Sequence, residues 1–254
     1  MQRMTFEQAN MTWQAMAKKT PLVHCMTNQV AAAFTANVLL AAGASPAMVT
    51  APEEVQHFTP LAANLLINVG TLQRDQLDGM REAAEQAQKH HKPWVLDPVA
   101  VGDVLRFRRD FVYELLTYQP AVIRGNAGEI LFLAGESGRI RGADSLSSSD
   151  EAQEAAQALA KRYRCVVVVT GARDYITDGA LMRYTEGGSV LQTRVTACGC
   201  TLSALVAAFV AEGNVLDHAA AACAVMKHAG DLAAAQHTGL GSFAQALLDG
   251  LTYE

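Results

Sequence analysis

The segment Thr196-Ala197-Cys198-Gly199-Cys200-Thr201-Leu202-Ser203-Ala204 sets small residues ahead of an apolar, alanine-rich stretch. A helix that opens on small residues leaves the backbone N–H groups of its first turn unpaired and aimed at one spot. The helix dipole adds partial positive charge there, so this start suits an anion such as phosphate. The same residues also fit an ordinary loop and cap whose thiols pack as small hydrophobes. A thiol at a helix start is expected to have a lowered pKa, which leaves nucleophilic chemistry at Cys200 open. Asn126-Ala127-Gly128-Glu129 puts an amide and a carboxylate on one face of a first helical turn. With Asp97 from a neighbouring strand end, that pair can support a hydrated Mg²⁺ shared with substrate phosphates. It equally reads as a helix cap with its capping-box glutamate. Arg124, just upstream, suits either a phosphate clamp or an ion pair with Asp97 or Glu129.

Thr170-Gly171, followed by Asp174 and Asp178-Gly179, suits a nucleotide pocket or plain turns. Neither a GxxxxGK[ST] loop nor a GxGxxG turn after a strand is present. His24 and Cys25 are adjacent on an extended segment, so their side chains point to opposite sides and do not form a Cys–His pair. Thr27 or Asn28 is expected to cap the helix that follows. Met48, after Ser45-Pro46-Ala47, reads as core or pocket lining, and His90-His91 as a solvated helix end.

These residues need a scaffold, and the hydrophobic pattern supplies one. Strands are expected at 65–69, 94–96, 121–123 and 165–169. Helices are expected at 30–42, 73–91, 107–117, from near Asn126, from a Ser147-Ser148-Ser149-Asp150 cap to about Tyr163, and from Gly199 onward. Unbroken apolar strands between amphipathic helices indicate a parallel sheet covered on both faces. Around 174–195, Asp178-Gly179 and Gly187-Gly188 separate short strand-like pieces, which suggests edge hairpins. No repeat, linker or composition shift divides the chain, so residues 1–254 read as one α/β domain. Asp97, Arg124-Gly125-Asn126 and Thr170-Gly171 each follow a strand, which places all three on one sheet edge.

Half of the 254 residues are hydrophobic, which excludes a mostly disordered chain. The 20 basic and 25 acidic residues give no reason to expect nucleic acid or an anionic membrane as partner. No apolar run approaches the roughly 18 residues that cross a bilayer, and the start, MQRMTFEQANMTWQAMAKKT, has no signal-peptide apolar region. The odd number of cysteines, five, reads as reduced thiols. A cytoplasmic protein is expected.

Five ordered segments, HCMTNQVAAAFTANVLLAAGASPAM, LDPVAVG, IRGNAGEI, VVVTGARDYITDG and VTACGCTLSA, carry a resemblance to the hydroxyethylthiazole kinase family of the ribokinase-like superfamily. It runs from about Pro21 to Phe243. The resemblance implies a ribokinase-like fold and ATP- and Mg²⁺-dependent phosphorylation of the hydroxyl of 4-methyl-5-(2-hydroxyethyl)thiazole, for thiamine salvage. It places Asp97 and Glu129 at metal-supporting positions and Asn126 in the NxxE pattern. Arg124 and Thr170 match nucleotide positions, and Met48 and Asn28 match thiazole positions. Ala197 falls on the small residue of the anion loop completed by Cys198, Gly199 and Cys200. Cys200 stands where many relatives carry an aspartate base. The resemblance also implies a homotrimer with active sites between subunits, in which Met48 and Asn28 serve a neighbour's pocket. The family's GTGC is Ala197-Cys198-Gly199-Cys200 here, and its GPGSF is Gly239-Leu240-Gly241-Ser242-Phe243. Alanine resists glycine's positive-φ conformations, so a differently shaped loop is expected, with its N–H still available. Three readings compete: another reaction on the same fold, a hydrolase or transferase built on a Cys200 nucleophile, and a binding protein without catalysis.

Overall fold

The computed structural model describes residues 1–135 and 148–253. Its strands are β1 (Gln2–Arg3), β2 (Leu22–Met26), β3 (Ser45–Ala47), β4 (Asn64–Asn68), β5 (Trp94–Asp97), β6 (Val122–Asn126), β7 (Val166–Thr170), β8 (Asp174–Thr177) and β9 (Met182–Thr185). They form one sheet in the order β1-β9-β8-β7-β6-β5-β4-β2-β3. All neighbours pair in parallel except β7–β8 and β8–β9.

Successive side chains on a strand face opposite sides, and here both sides are apolar. Leu66, Val95, Val166 and Val168 enter one core, whereas Leu65, Ile67, Trp94, Leu96, Val167 and Val169 enter the other. The first core is roofed by α1 (Phe6–Ala17), α2 (Ala32–Ala41), α8 (Cys198–Phe209), α9 (Val215–Gln236) and α10 (Leu240–Asp249). The second is roofed by α3 (Pro52–Phe58), α4 (Gln76–Lys89), α5 (Arg106–Leu116), α6 (Ala127–Ala134) and α7 (Gln153–Tyr163). This is the expected mainly parallel sheet with helices on both faces. Alanines such as Ala204, Ala207, Ala220 and Ala221 are fully buried between α8, α9 and the sheet. Small side chains let these helices approach closely.

Several boundaries differ from the sequence pattern. The helix expected at 30–42 starts at Ala32 with Ala31 as its N-cap. Thr27 does not cap it, for its hydroxyl is buried without a partner, whereas Asn28 Oδ1 accepts from the N–H groups of Val30 and Ala31 at 3.0 Å each. Ser147 lies outside the described residues. Ser148 precedes a short 3-10 turn, Ser149–Ala152, and makes no side-chain cap bond. Ser149 Oγ instead donates to the Arg173 carbonyl at 2.6 Å, because the Gly171–Arg173 turn lies against it. The Asp178-Gly179 hairpin is present, with Asp178 Oδ1 accepting from the N–H groups of Ala180 and Leu181. Gly187-Gly188 makes no second hairpin. Its chain turns into a 3-10 segment, Val190–Thr193, capped by Ser189 and Gln192, and Gly188 N–H donates to Asp231 on α9. β1 carries no apolar pattern because both of its residues are exposed.

Helix α4 packs on the loop that follows β3. A Cβ on Gly79 would lie 2.4 Å from the Thr50 carbonyl oxygen, closer than any real contact. Gly79→Ala is therefore expected to destabilise the protein by about 1–3 kcal/mol through overpacking, read as a lower urea midpoint with an unchanged slope.

Candidate active site

The carboxyl ends of β2, β4, β5, β6 and β7 converge on the start of α8. Ala197, the N-cap of α8, has φ +73 and no side-chain cap bond. The loop thus keeps a glycine-like left-handed turn on an alanine, contrary to the expected change of shape. The turn is held by Thr201 N–H donating to Ala197 O at 2.8 Å. Cys198 N–H makes one long bond, 3.4 Å to Val195 O, and the N–H groups of Gly199 and Cys200 find no acceptor among the described residues. An open, positively polarised helix start is the result.

Arg124, rising from β6, lies over this start. A Cβ on Gly199 would sit 3.1 Å from its Nη1. The guanidinium donates to Thr170 Oγ1 at 2.7 Å and stands 3.7 Å from Asp97 Oδ2. Its ion-pair partner is Asp97, settling the choice left open between the two carboxylates. Asp97 ends β5 and is fully buried. Its Oδ2 accepts from Asn68 Nδ2 at 2.8 Å and from Ser203 Oγ at 2.7 Å, while Oδ1 has no partner. Burial pushes the carboxyl up to about 6, Arg124 opposes that, and the nearby Glu129 charge adds to it.

Asn126 and Glu129 form the capping box of α6. Asn126 Oδ1 accepts from Glu129 N–H at 2.9 Å, and Glu129 Oε2 accepts from Asn126 N–H at 2.8 Å. Glu129 Oε1 accepts from Ala100 N–H at 2.7 Å, fastening the loop after β5. Asn126 also borders a hollow of about 620 Å³ with Ser149, Thr170, Gly171 and Ala172. Gly171 N–H donates to Asp174 Oδ1 at 2.9 Å, so Asp174 serves the turn.

Cys200 is half-buried and its Sγ accepts from Asn28 Nδ2 at 3.3 Å. Its thiol is raised, first by burial and then by the Asp97 charge. The lowering expected of a helix start is thus overturned: desolvation and a neighbouring anion outweigh the Asn68, Asn28 and Arg124 interactions that favour the thiolate. Cys198 is buried and pushed up to about 11 for the same first reason. Asn28 is 5% exposed and bonds Cys200 of its own chain. Met48 is 37% exposed past the end of edge strand β3, outside this network and outside both cores. His24 and Cys25 are both buried and do not pair. His24 Nδ1 meets Thr59 Oγ1 and Nε2 meets Val49 O.

Sequence reasoning missed Asn68, Ser203 and Lys227. Asn68 was legible as a polar residue closing a buried apolar strand, and Ser203 as the position one helical turn beyond Cys200. Lys227, a cation within alanine-rich α9, donates to the carbonyls of Gly171 at 2.7 Å and Ala172 at 3.0 Å and stands 3.3 Å from Asp174 Oδ1. Only the fold brings α9 under that loop. No group of three or more His, Cys, Asp or Glu residues forms a metal cage among the described residues.

The mainly parallel sheet covered by helices on both faces, with an open helix start at its strand ends, is a ribokinase-like fold. A ribokinase-like superfamily protein from Enterococcus faecalis V583 shares this fold with a TM-score of 0.64 at 13% identity, over 98% of this chain and 95% of that one. The chain belongs to the hydroxyethylthiazole kinase family, whose model matches residues 13–253. A hydroxyethylthiazole kinase of Klebsiella pneumoniae (strain 342) is 56% identical over 236 residues, 92% of this chain and 91% of its own length. The structure of a hydroxyethylthiazole kinase from Pyrococcus horikoshii OT3 superposes with a TM-score of 0.89 at 36% identity, covering 96% of this chain and 92% of that one.

Two outcomes follow from this geometry. Ala197→Gly removes a left-handed alanine and is expected to stabilise the fold by roughly 1 kcal/mol, measured by urea denaturation. Asp97 has a folded-state value near 6, above the ordinary aspartate value of about 4, so the folded protein holds its proton more firmly than the unfolded chain. The stabilising contribution is complete below about pH 4 and is lost as pH rises through about 6. Asp97→Asn is therefore expected to be more stable than the parent near neutral pH and to lose that advantage on acidification, checked by denaturant midpoints across the range.

Proposed function

We propose that this protein transfers the γ-phosphoryl group of ATP to the hydroxyl of 4-methyl-5-(2-hydroxyethyl)thiazole, yielding the thiazole phosphate used in thiamine synthesis and salvage. Family membership supports the reaction. The single observation that carries it is the open N–H pair of Gly199 and Cys200, flanked by Arg124 on one side and by the Asn28–Cys200 pair on the other.

Phosphoryl transfer spreads charge over the equatorial oxygens, so catalysis is mainly positioning and electrostatic stabilisation. In this reading the hollow bordered by Asn126, Thr170 and Gly171 receives the nucleotide, with Lys227 fixing the Gly171–Ala172 carbonyls from below. Arg124 neutralises phosphate charge, and the amides of the Ala197–Cys200 turn cradle the group in transit. Asn28, Met48, Ala197 and Cys200 face the alcohol side. Cys200, kept as a neutral thiol, positions the attacking hydroxyl and does no strong base work; a loose transition state needs little early proton removal.

The donor set fits Mg²⁺. A fully buried carboxylate with one unpaired oxygen, Asp97 Oδ1, calls for a cation, and Glu129 stands near enough to raise its pKa. Asp97 and Glu129 would hold the ion, Glu129 through water because both its oxygens already accept backbone N–H bonds. When bound, the ion neutralises phosphate charge.

The homotrimer belongs to the same reading. Edge strand β3 has one free side, Met48 follows it directly, and Leu40 on α2, the helix packed on β3, is 61% exposed. An open sheet edge flanked by exposed apolar side chains suits burial against another copy, with Met48 completing a site between subunits. The cytoplasm is the assigned location: ATP is available there and the five thiols are free. No helix among the described residues is long and apolar enough to cross a membrane.

Incubation with ATP, Mg²⁺ and the thiazole alcohol is expected to give the phosphate ester by mass spectrometry; absence of ester would overturn the reading. Cys200→Ala is expected to lose less than about 10²-fold in turnover, whereas a loss within the roughly 10²–10⁴-fold range of general-base assistance would assign proton removal to the thiol.

A further inference from the structure

We propose that Asn68 is a positioning residue that couples the alcohol end of the site to its phosphate end. The inference rests on the kinase reading above and goes beyond it. Asn68 closes β4, between β2 on one side and β5 on the other, and is 1% exposed. Its Nδ2 donates to Asp97 Oδ2 at 2.8 Å. Its Oδ1 accepts from Asn28 Nδ2 at 2.8 Å and from Gly70 N–H at 3.0 Å. Asn28 Nδ2 also donates to Cys200 Sγ. A continuous chain therefore runs from the thiol that faces the alcohol, through two amides, to the carboxylate that faces the phosphates.

The polarity of this chain leaves no slack. A carboxylate accepts only, so the Asn68 amide must turn its NH₂ toward Asp97 and its oxygen toward Asn28. Asn28 cannot rotate away, because its own oxygen is held by Val30 and Ala31 N–H, and Gly70 presses on its side chain so closely that a Cβ there would lie 2.6 Å from Nδ2. Movement of Asp97 as phosphates bind is thus transmitted to Asn28 and Cys200, and the reverse holds equally. Ser203 binds the same Asp97 oxygen without reaching Asn28, which makes it the internal comparison. Asp97 loses one donor in either variant, but only loss of Asn68 breaks the chain.

The test is calorimetric titration of the thiazole alcohol, with and without a non-hydrolysable ATP analogue and Mg²⁺. The parent is expected to bind the alcohol at least about fivefold more tightly when nucleotide is present. In Asn68→Ala that ratio is expected to fall to about one, with kcat reduced roughly 10–100-fold, while Ser203→Ala keeps the parent's ratio. General destabilisation would lower melting temperature without changing the ratio. Should Asn68→Ala fail to fold, Asn68→Ser, too short to span Asp97 and Asn28 together, is expected to give the same loss. A ratio retained in the Asn68 variant, lost equally in Ser203→Ala, or absent from the parent overturns the proposal. A parent that makes no ester overturns the kinase reading itself; ester formation with an unchanged ratio overturns only the role of Asn68.

Discussion

A carboxylate taken fully out of water is costly unless other groups replace the solvent, and Asp97 is such a carboxylate. Two neutral donors, Asn68 and Ser203, and one cation, Arg124, surround it, yet one oxygen remains unpaired. The site is organised around that incomplete compensation. Arg124 is drawn inward by the charge, which brings it over the open start of α8. Burial first, and then this same charge, raise the Cys200 thiol.

The parallel sheet makes this arrangement possible. Side-by-side strands end at one edge, so Asn68 and Asp97 stand at matched register on β4 and β5, and Asn126 and Thr170 on β6 and β7. Helix α8 then crosses that edge with Cys200 and Ser203 one turn apart, both on its inner side. Its alanines pack against the sheet and bring its first turn close to the strand tips. A bulkier helix would hold the amides farther from Arg124.

The capping box at Asn126 and Glu129 illustrates how structural and chemical roles share atoms. The box starts α6, and the second glutamate oxygen fastens the loop after Asp97. Sequence spacing allows both a cap and a metal-supporting pair, and the two are compatible: the backbone bonds fix Glu129 near Asp97 and leave it to act across water. Thr27 and Ser148 show the opposite case. Each has the type of residue that caps helices, and each is bypassed because a neighbour, Asn28 or the 3-10 turn at Ser149, has the better geometry.

The order of apolar strands and amphipathic helices, the two-faced burial, the Asp178-Gly179 hairpin and the clustering of Asp97, Arg124 and Thr170 at one edge were all contained in the sequence. They follow from local periodicity and from the rule that parallel strands end together. The motifs also sufficed to mark the family. Tertiary structure alone decided which carboxylate Arg124 pairs with, that Ala197 holds a left-handed turn, and that Cys200 is a raised and not a lowered thiol. It also decided that Asn68, Ser203 and Lys227 join the site. These depend on distances between residues far apart in the chain and on how completely water is excluded. A pattern of residue types carries neither quantity until the chain has packed.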